Sequence, residues 1–258
     1  MKRRSLMLTM VGLGMALTLT LATSPALALS LTGNYFVLSP TNPDTSTLSS
    51  KIDNATIPNL VLPALNGGLP VFSGIPAPNS GAITDVDGAG RIQWWTAHAG
   101  IVTADSVPVR VDSFNAAGVL GGGSFASGFY PTGTASDTNG YRSVHWTGLF
   151  HVATTATLTL SADDDAWLFL NGNRVLDNGG VKAVSLSTTS STTLGAGDYI
   201  VDLFFADRHV TQSGINFTCT GCLDPVPEPT TLLLFGTTLA GVGAVLRRRL
   251  KGHRAPNA

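Results

Sequence analysis

The chain has 258 residues and a formal net charge of −1, but its charges are sorted, with cations crowded at the two ends and aspartates in the middle. Over residues 29–225, seven lysines and arginines stand against fifteen aspartates, so this part is about eight charges negative. Nucleic acid needs clustered cations to meet its phosphates, and the middle offers none. An acidic domain suits solubility and cation binding instead.

At the N-terminus, Lys2, Arg3 and Arg4 precede an uncharged, mostly apolar run over residues 6–21. "SPALALS" follows, with Ala26 and Ala28 forming a small-x-small cleavage site. This order predicts a secretory signal helix over residues 1–28 and a mature chain that starts near Leu29.

The following 196 residues or so suffice for one well-buried domain. Glycine, serine and threonine are abundant there, and no stretch carries a 3.6-residue period. Alternation dominates: "ATLTLSA" places Ala156, Leu158 and Leu160 on one face, and "YIVDLFFA" does the same with Tyr199, Val201, Leu203 and Phe205. Further strands are predicted over 91–99, 107–114, 142–152, 166–171, 173–177, 182–189 and 214–219. Asn171-Gly172 between two of them reads as a hairpin turn. Many short strands with frequent turns predict an all-β antiparallel sandwich over residues 29–222. "SPTNPDTSTLSS", "GLPVFSGIPAPNSG" and "GVLGGGSFASG" are expected to be surface loops. The last lacks the lysine and the strand-to-helix setting of a phosphate loop.

Trp146 and Trp167 fall in apolar strands and are expected in the core. Trp94 and Trp95 are adjacent, and neighbours on a strand face opposite ways. One of them is therefore a candidate to stack on a sugar ring, with Asn171 as a weaker partner; core or loop packing is the alternative. His98, His145 and His151 are dispersed without ligand spacing and read as edge or core residues. Cys219 and Cys222 in "CTGC" are the only cysteines. No second pair exists for zinc and no βαβ setting for a redox centre, so a small disulfide is expected in an oxidising compartment.

"SADDDAWLFLNG" sets Asp163, Asp164 and Asp165 side by side. Carboxylates about 4 Å apart repel by around 1 kcal/mol in water, and by several times more when partly buried. A tight loop can make such neighbours converge, and Ca²⁺, which takes six to eight oxygens, relieves them. A solvated hairpin turn is the alternative. Asp207 in "ADRH" follows a strand expected to pair near the run. It could complete a calcium shell, or form a surface pair with Arg208 that contributes little.

Beyond the domain, Pro225, Pro227 and Pro229 make an extended spacer within the linker 223–229. Residues 230–246 carry no charge and, as a helix of roughly 26 Å, reach the short end of a membrane span. Arg247, Arg248, Arg249 and Lys251 in the tail 247–258 would hold the far end in the cytoplasm. Val226, Pro227, Glu228 and Pro229 before such a span resemble the PEP-CTERM sorting signal of Gram-negative bacteria. That resemblance implies export through the Sec machinery, an inner-membrane-anchored precursor, and processing by an exosortase to the cell surface or extracellular matrix.

"WTGLFHV", "TLTLSADDDAWLFLNGNRVLDNGG" and "LGAGDYIVDLFFADRHVTQSGINF" together resemble the fibro-slime domain, over about residues 142–220. That family is similar to the protective-antigen-type β-sandwich of yeast flocculins and other adhesins. The resemblance implies a jelly roll flanked by the signal helix and the transmembrane helix. In the adhesin members two adjacent aspartates joined by a cis peptide hold Ca²⁺, which binds sugar hydroxyls; here that pair is Asp163 and Asp164, with Asp165 and Asp207 as further candidates. The chain departs from the pattern at Asp207, where the family tends to show glutamate, and in "LDNGG" in place of "LDLGG". The lectins' sugar-binding loop is not recognisable in residues 207–214. No serine elbow, catalytic cysteine or zinc motif occurs, and nothing separates an acid from a base for a two-aspartate glycosidase, so an enzyme is not expected. The expected function is a calcium-dependent carbohydrate-binding or adhesive module. Its alternative is a structural matrix protein with no small ligand.

Overall fold

Alternation of inward and outward residues is longest in β3 (Tyr141–Asp163), a strand of 23 residues on which the other strands assemble. The computed structural model describes residues 29–114, 120, 141–183, 187–210 and 213–223. The expected signal helix, the loop at 118–128 apart from Leu120, the PEP motif, the membrane helix and the basic tail lie outside them. Among the described residues no helix is long and apolar enough to cross a membrane.

The remaining strands are β1 (Ser30–Leu38), β2 (Val102–Ser113), β4 (Asp165–Leu170), β5 (Asn173–Asn178), β6 (Ser190–Leu194), β7 (Gly197–Asp207) and β8 (Gly214–Leu223). The fold class is all-β and antiparallel, as the alternation predicts. The first half of β3 pairs with β1 and β7 in the order β2-β1-β3-β7-β4-β5, while its second half pairs with β6 and β8. One strand therefore serves two pairing surfaces. Both contribute to a single apolar core that includes Trp146, Phe150, Leu158, Leu160, Leu168, Leu203, Phe205 and Phe217. Asn171 and Gly172, with φ of 51° and 77°, turn β4 into β5 as predicted.

β1 escaped the pattern because its inward face reads Leu31, Gly33, Tyr35. A Cβ at Gly33 would lie 2.8 Å from the Trp146 ring, so the apolar alternation is interrupted where that indole packs. Of the strand predicted over 182–189, the described residues 182, 183 and 187–189 are not in a strand, and β6 starts at Ser190.

The largest departure lies in the first third, where the sequence predicts surface loops and a strand over 91–99. β4 and β7 are buried on both faces: Ala166, Leu168, Val201 and Leu203 enter the first core, while Trp167, Phe169, Phe204 and Ala206 enter a second. That second core is closed by Leu60, Val61, Ala77, Ile83, Ile92, Trp94 and Trp95, which arrive on turns and isolated bridges rather than strands. Residues 91–99, predicted as a strand, belong to this irregular layer. Turns bring its apolar residues inward one at a time, so no period marks them in the sequence.

Candidate functional site

The aspartate run lies where the chain leaves one pairing surface for the other. Asp163 is the last residue of β3 and pairs with Gly214 of β8; Asp165 is the first of β4 and pairs with Ala206 of β7. Asp164 alone spans the change, and the Asp163–Asp164 peptide is cis. The three side chains are 2, 1 and 0% exposed, which removes the solvated-turn alternative.

Buried carboxylates must find donors or countercharges. Asp164 accepts the Lys182 amide on Oδ1 at 3.0 Å and the Arg208 amide on Oδ2 at 2.7 Å. Asp165 accepts the Gly180 amide at 2.6 Å and Arg208 Nε at 2.7 Å. Lys182 Nζ donates to the main-chain oxygens of Asp164, Asn178 and Gly180 at 2.6, 3.1 and 3.1 Å. The Arg208 guanidinium also reaches Asp44 O at 3.4 Å and lies 4.8 Å from the centre of a Trp94 ring.

Two buried cations thus face three buried aspartates. Burial, then the charges of Asp163 and Asp165, pushes the Asp164 carboxyl well above the ordinary aspartate range, with Arg208 opposing. Burial draws the Lys182 ammonium down against the pull of Asp165, Asp164 and Asp163. Burial acts the same way on Arg208, but Asp165, Asp44 and Asp164 outweigh it and hold the guanidinium above its usual value.

Beside the run lies a cavity of about 250 Å³ whose lining includes Ile52, Asn54, Asp163, Asp164, Lys182 and His209. A smaller hollow of about 70 Å³ shares Val181 and His209 with it and extends past Thr45, Ser46 and Lys51. Neither Asp165 nor Asp207 lines the larger cavity. Asp207 is fully buried at the end of β7, in register with Arg142 of β3. Asp207 and Arg208 are both buried, so the alternative of a surface pair is ruled out, and Arg208 is paired with Asp165. Among the described residues no three His, Cys, Asp or Glu side chains form a set that could hold a metal ion.

Trp94 and Trp95 are 0 and 4% exposed, so neither offers a face to a sugar. Their ring nitrogens donate to Asp44 Oδ2 at 2.9 Å and to Phe205 O at 3.0 Å, and both pack near Trp167. Asn171 sits at the far end of β4, roughly 20 Å from Asp165 by strand rise. It caps the turn by accepting the Ile200 amide on Oδ1 at 2.9 Å. Cys219 and Cys222 are joined in a disulfide at the end of β8, with Cα atoms 5.7 Å apart. His98, His145 and His151 each pair with an aspartate: Asp85, Asp202 and Asp198.

Sequence reasoning missed Lys182, Asp44, Asp53 and Asn54. Lys182 had a signal: it is one of two lysines in residues 29–225 and stands in the apolar stretch "GGVKAV". Asp44 lies in the expected loop "SPTNPDTSTLSS", and Asp53 and Asn54 lie between that loop and the next, in a stretch without a periodic pattern.

Residues 126–220 match the PA14 domain and residues 225–249 match the PEP-CTERM protein-sorting motif. The protein psiI of Dictyostelium discoideum is 41% identical over 56 residues, which cover 20% of this chain and 8% of psiI. For psiD of the same organism the values are 30% over 86 residues, 30% of this chain and 17% of psiD. The chain therefore spans less than a fifth of the length of these curated relatives. Among solved structures, a PA14 sugar-binding domain from an RTX adhesin is 16% identical, with a TM-score of 0.31 over 74% of this chain and 88% of that one. The PA14 domain of the MpAFP antifreeze protein is 22% identical, with a TM-score of 0.26 over 31% of this chain and 44% of that one.

Proposed function

From a chain that carries a PA14 domain and a PEP-CTERM sorting motif, we propose an exported adhesive or carbohydrate-binding protein, processed by an exosortase and delivered to the cell surface or extracellular matrix of a Gram-negative bacterium. The PA14 domain binds an extracellular polysaccharide through Ca²⁺ held by Asp163 and Asp164. The observation that carries this reading is the pair of adjacent carboxylates, Asp163 and Asp164, on the wall of a cavity of about 250 Å³.

The donors around that cavity fit a hard cation. Asp163 and Asp164 offer oxygen, and Ca²⁺ would complete its six to eight ligands with carbonyls and water. Bound there, Ca²⁺ would supply a centre for sugar hydroxyls. Asp164 and Asp165 meanwhile clamp the loops after β5 and β7, and His209 is unsuited to a cation that wants oxygen.

One observation favours the alternative of a structural matrix protein without a small ligand. Both Asp164 oxygens already accept main-chain amides, and two cations already neutralise most of the run. Calorimetry of the mature protein in chelator and in millimolar Ca²⁺ decides between the two readings. Binding at a hundred times Kd adds about 2.7 kcal/mol, hence roughly 5–10 °C for a domain of this size. No shift leaves the run as an internal clasp. A shift without binding on a glycan array makes the calcium structural.

A further inference from the structure

The cavity is not walled by the PA14 span alone. One side is the turn at residues 52–54, which precedes the matched residues 126–220. Asp53 fixes that turn from within. Its amide donates to Val181 O at 2.6 Å, and its buried carboxylate accepts the amides of Asn79, Ser80 and Val181 at 2.9, 3.0 and 2.9 Å. Asn54 is the opposite case, exposed and lining the cavity, with its backbone in the left-handed region at φ 59°. Its Nδ2 makes only a long bond to Ile52 O, at 3.4 Å. An amide that both donates and accepts is thus held on the same cavity as Asp163 and Asp164. The volume of about 250 Å³ falls below the ~300–1,000 Å³ of pockets that take drug-sized ligands. It offers room for one ring rather than for a run of polymer.

We propose that the 52–54 turn is the specificity element of this site: it limits entry to a single terminal sugar ring, and Asn54 hydrogen-bonds one of that ring's hydroxyls. The inference rests on the carbohydrate reading above. It adds a residue from outside the matched domain and a chain-end ligand.

Asn54→Gly keeps the left-handed backbone and removes the carboxamide; Asn54→Asp, also at ease in that region, exchanges the donor for a charge. The mature protein and both variants are applied to a glycan array in Ca²⁺, and the free monosaccharide at the terminus of the best-bound glycan is used as competitor. The monosaccharide should compete within about tenfold of the whole glycan. Asn54→Gly should weaken binding about three- to tenfold, as loss of one neutral hydrogen bond does, with an unchanged melting temperature. Asn54→Asp should reorder the glycans bound, and this reads the contact even where Asn54→Gly lowers stability. Variants that bind the same glycans as strongly as the wild type overturn the inference and leave the carbohydrate reading in place. So does a wild type that binds internal chain and ignores the monosaccharide. A wild type that binds no glycan overturns the carbohydrate reading, and the specificity element with it.

Discussion

Lys182 Nζ donates to the main-chain oxygen of Asp164 at 2.6 Å, while the Lys182 amide donates to the Asp164 carboxylate at 3.0 Å. One residue, eighteen positions on in the loop after β5, thus holds both the backbone and the side chain of the residue that joins β3 to β4. Three consecutive aspartates are tolerated in the interior because Lys182 and Arg208 are buried with them.

Lys182→Met keeps the apolar stem and removes the ammonium, leaving three carbonyls and the aspartates without it. Removing one partner of a buried charged set destabilises by about 3–5 kcal/mol, roughly 6–20 °C in melting temperature at this size. Thermal unfolding followed by circular dichroism should show that loss in chelator. A change within about 1 kcal/mol would mean that the aspartates are not ionised together.

Asp53→Asn should destabilise in a pH-dependent way. Burial alone would raise the Asp53 carboxyl, but hydrogen bonds from Ser80, Asn79 and Val181 outweigh it and hold the group below the ordinary aspartate range. A depressed carboxyl contributes stability above its unfolded pKa, near 4, and that stability is lost as pH falls through the lower folded value. The wild type should exceed the variant by about 1.5–3 kcal/mol at pH 7. The gap should narrow below about pH 4, as read from denaturant midpoints across pH. A constant gap would contradict the ionic origin.

Trp94→Ala should cost about 3–5 kcal/mol, as large-to-small changes in a packed core do. Iodide should quench the native tryptophan emission poorly, since Trp94, Trp95, Trp146 and Trp167 are all buried. Added sugar should not alter that quenching, whereas an exposed stacking indole would be protected by its ligand.

Thiol labelling of the denatured, unreduced protein should find no free cysteine, because Cys219 and Cys222 are bonded to each other. Replacing both by serine should lower stability by only about 2 kcal/mol on the chain-entropy account, since the closed loop is so short.

The intact mass of the exported protein should lack residues 1–28 and most of the stretch beyond Pro229, given the sorting motif over residues 225–249. A cell-surface species that retains Arg247, Arg248 and Arg249 would overturn exosortase processing.

Local order in the chain was legible wherever one strand alternated against one core. The second half of β3, β7 and the Asn171-Gly172 turn could be read from the sequence, because a period of two and a left-handed dipeptide are properties of neighbouring residues. The aspartate run, the cysteine pair and the sorting motif were legible for the same reason: each is a short contiguous pattern. The partners of those patterns were not. Arg208 meets Asp165 from 43 residues away, Lys182 meets Asp164 from 18, and Trp94 meets Asp44 from 50. The residues that bury the second face of β4 and β7 come from irregular chain that carries no period. A strand's alternation shows which residues share a face but not what covers each face. Only the tertiary structure decided that Trp94 and Trp95 close a second core, that the aspartates are buried against two cations, and that Asn54 stands on the wall of their cavity. Those outcomes depend on contacts between distant segments, and no local property of the sequence encodes them.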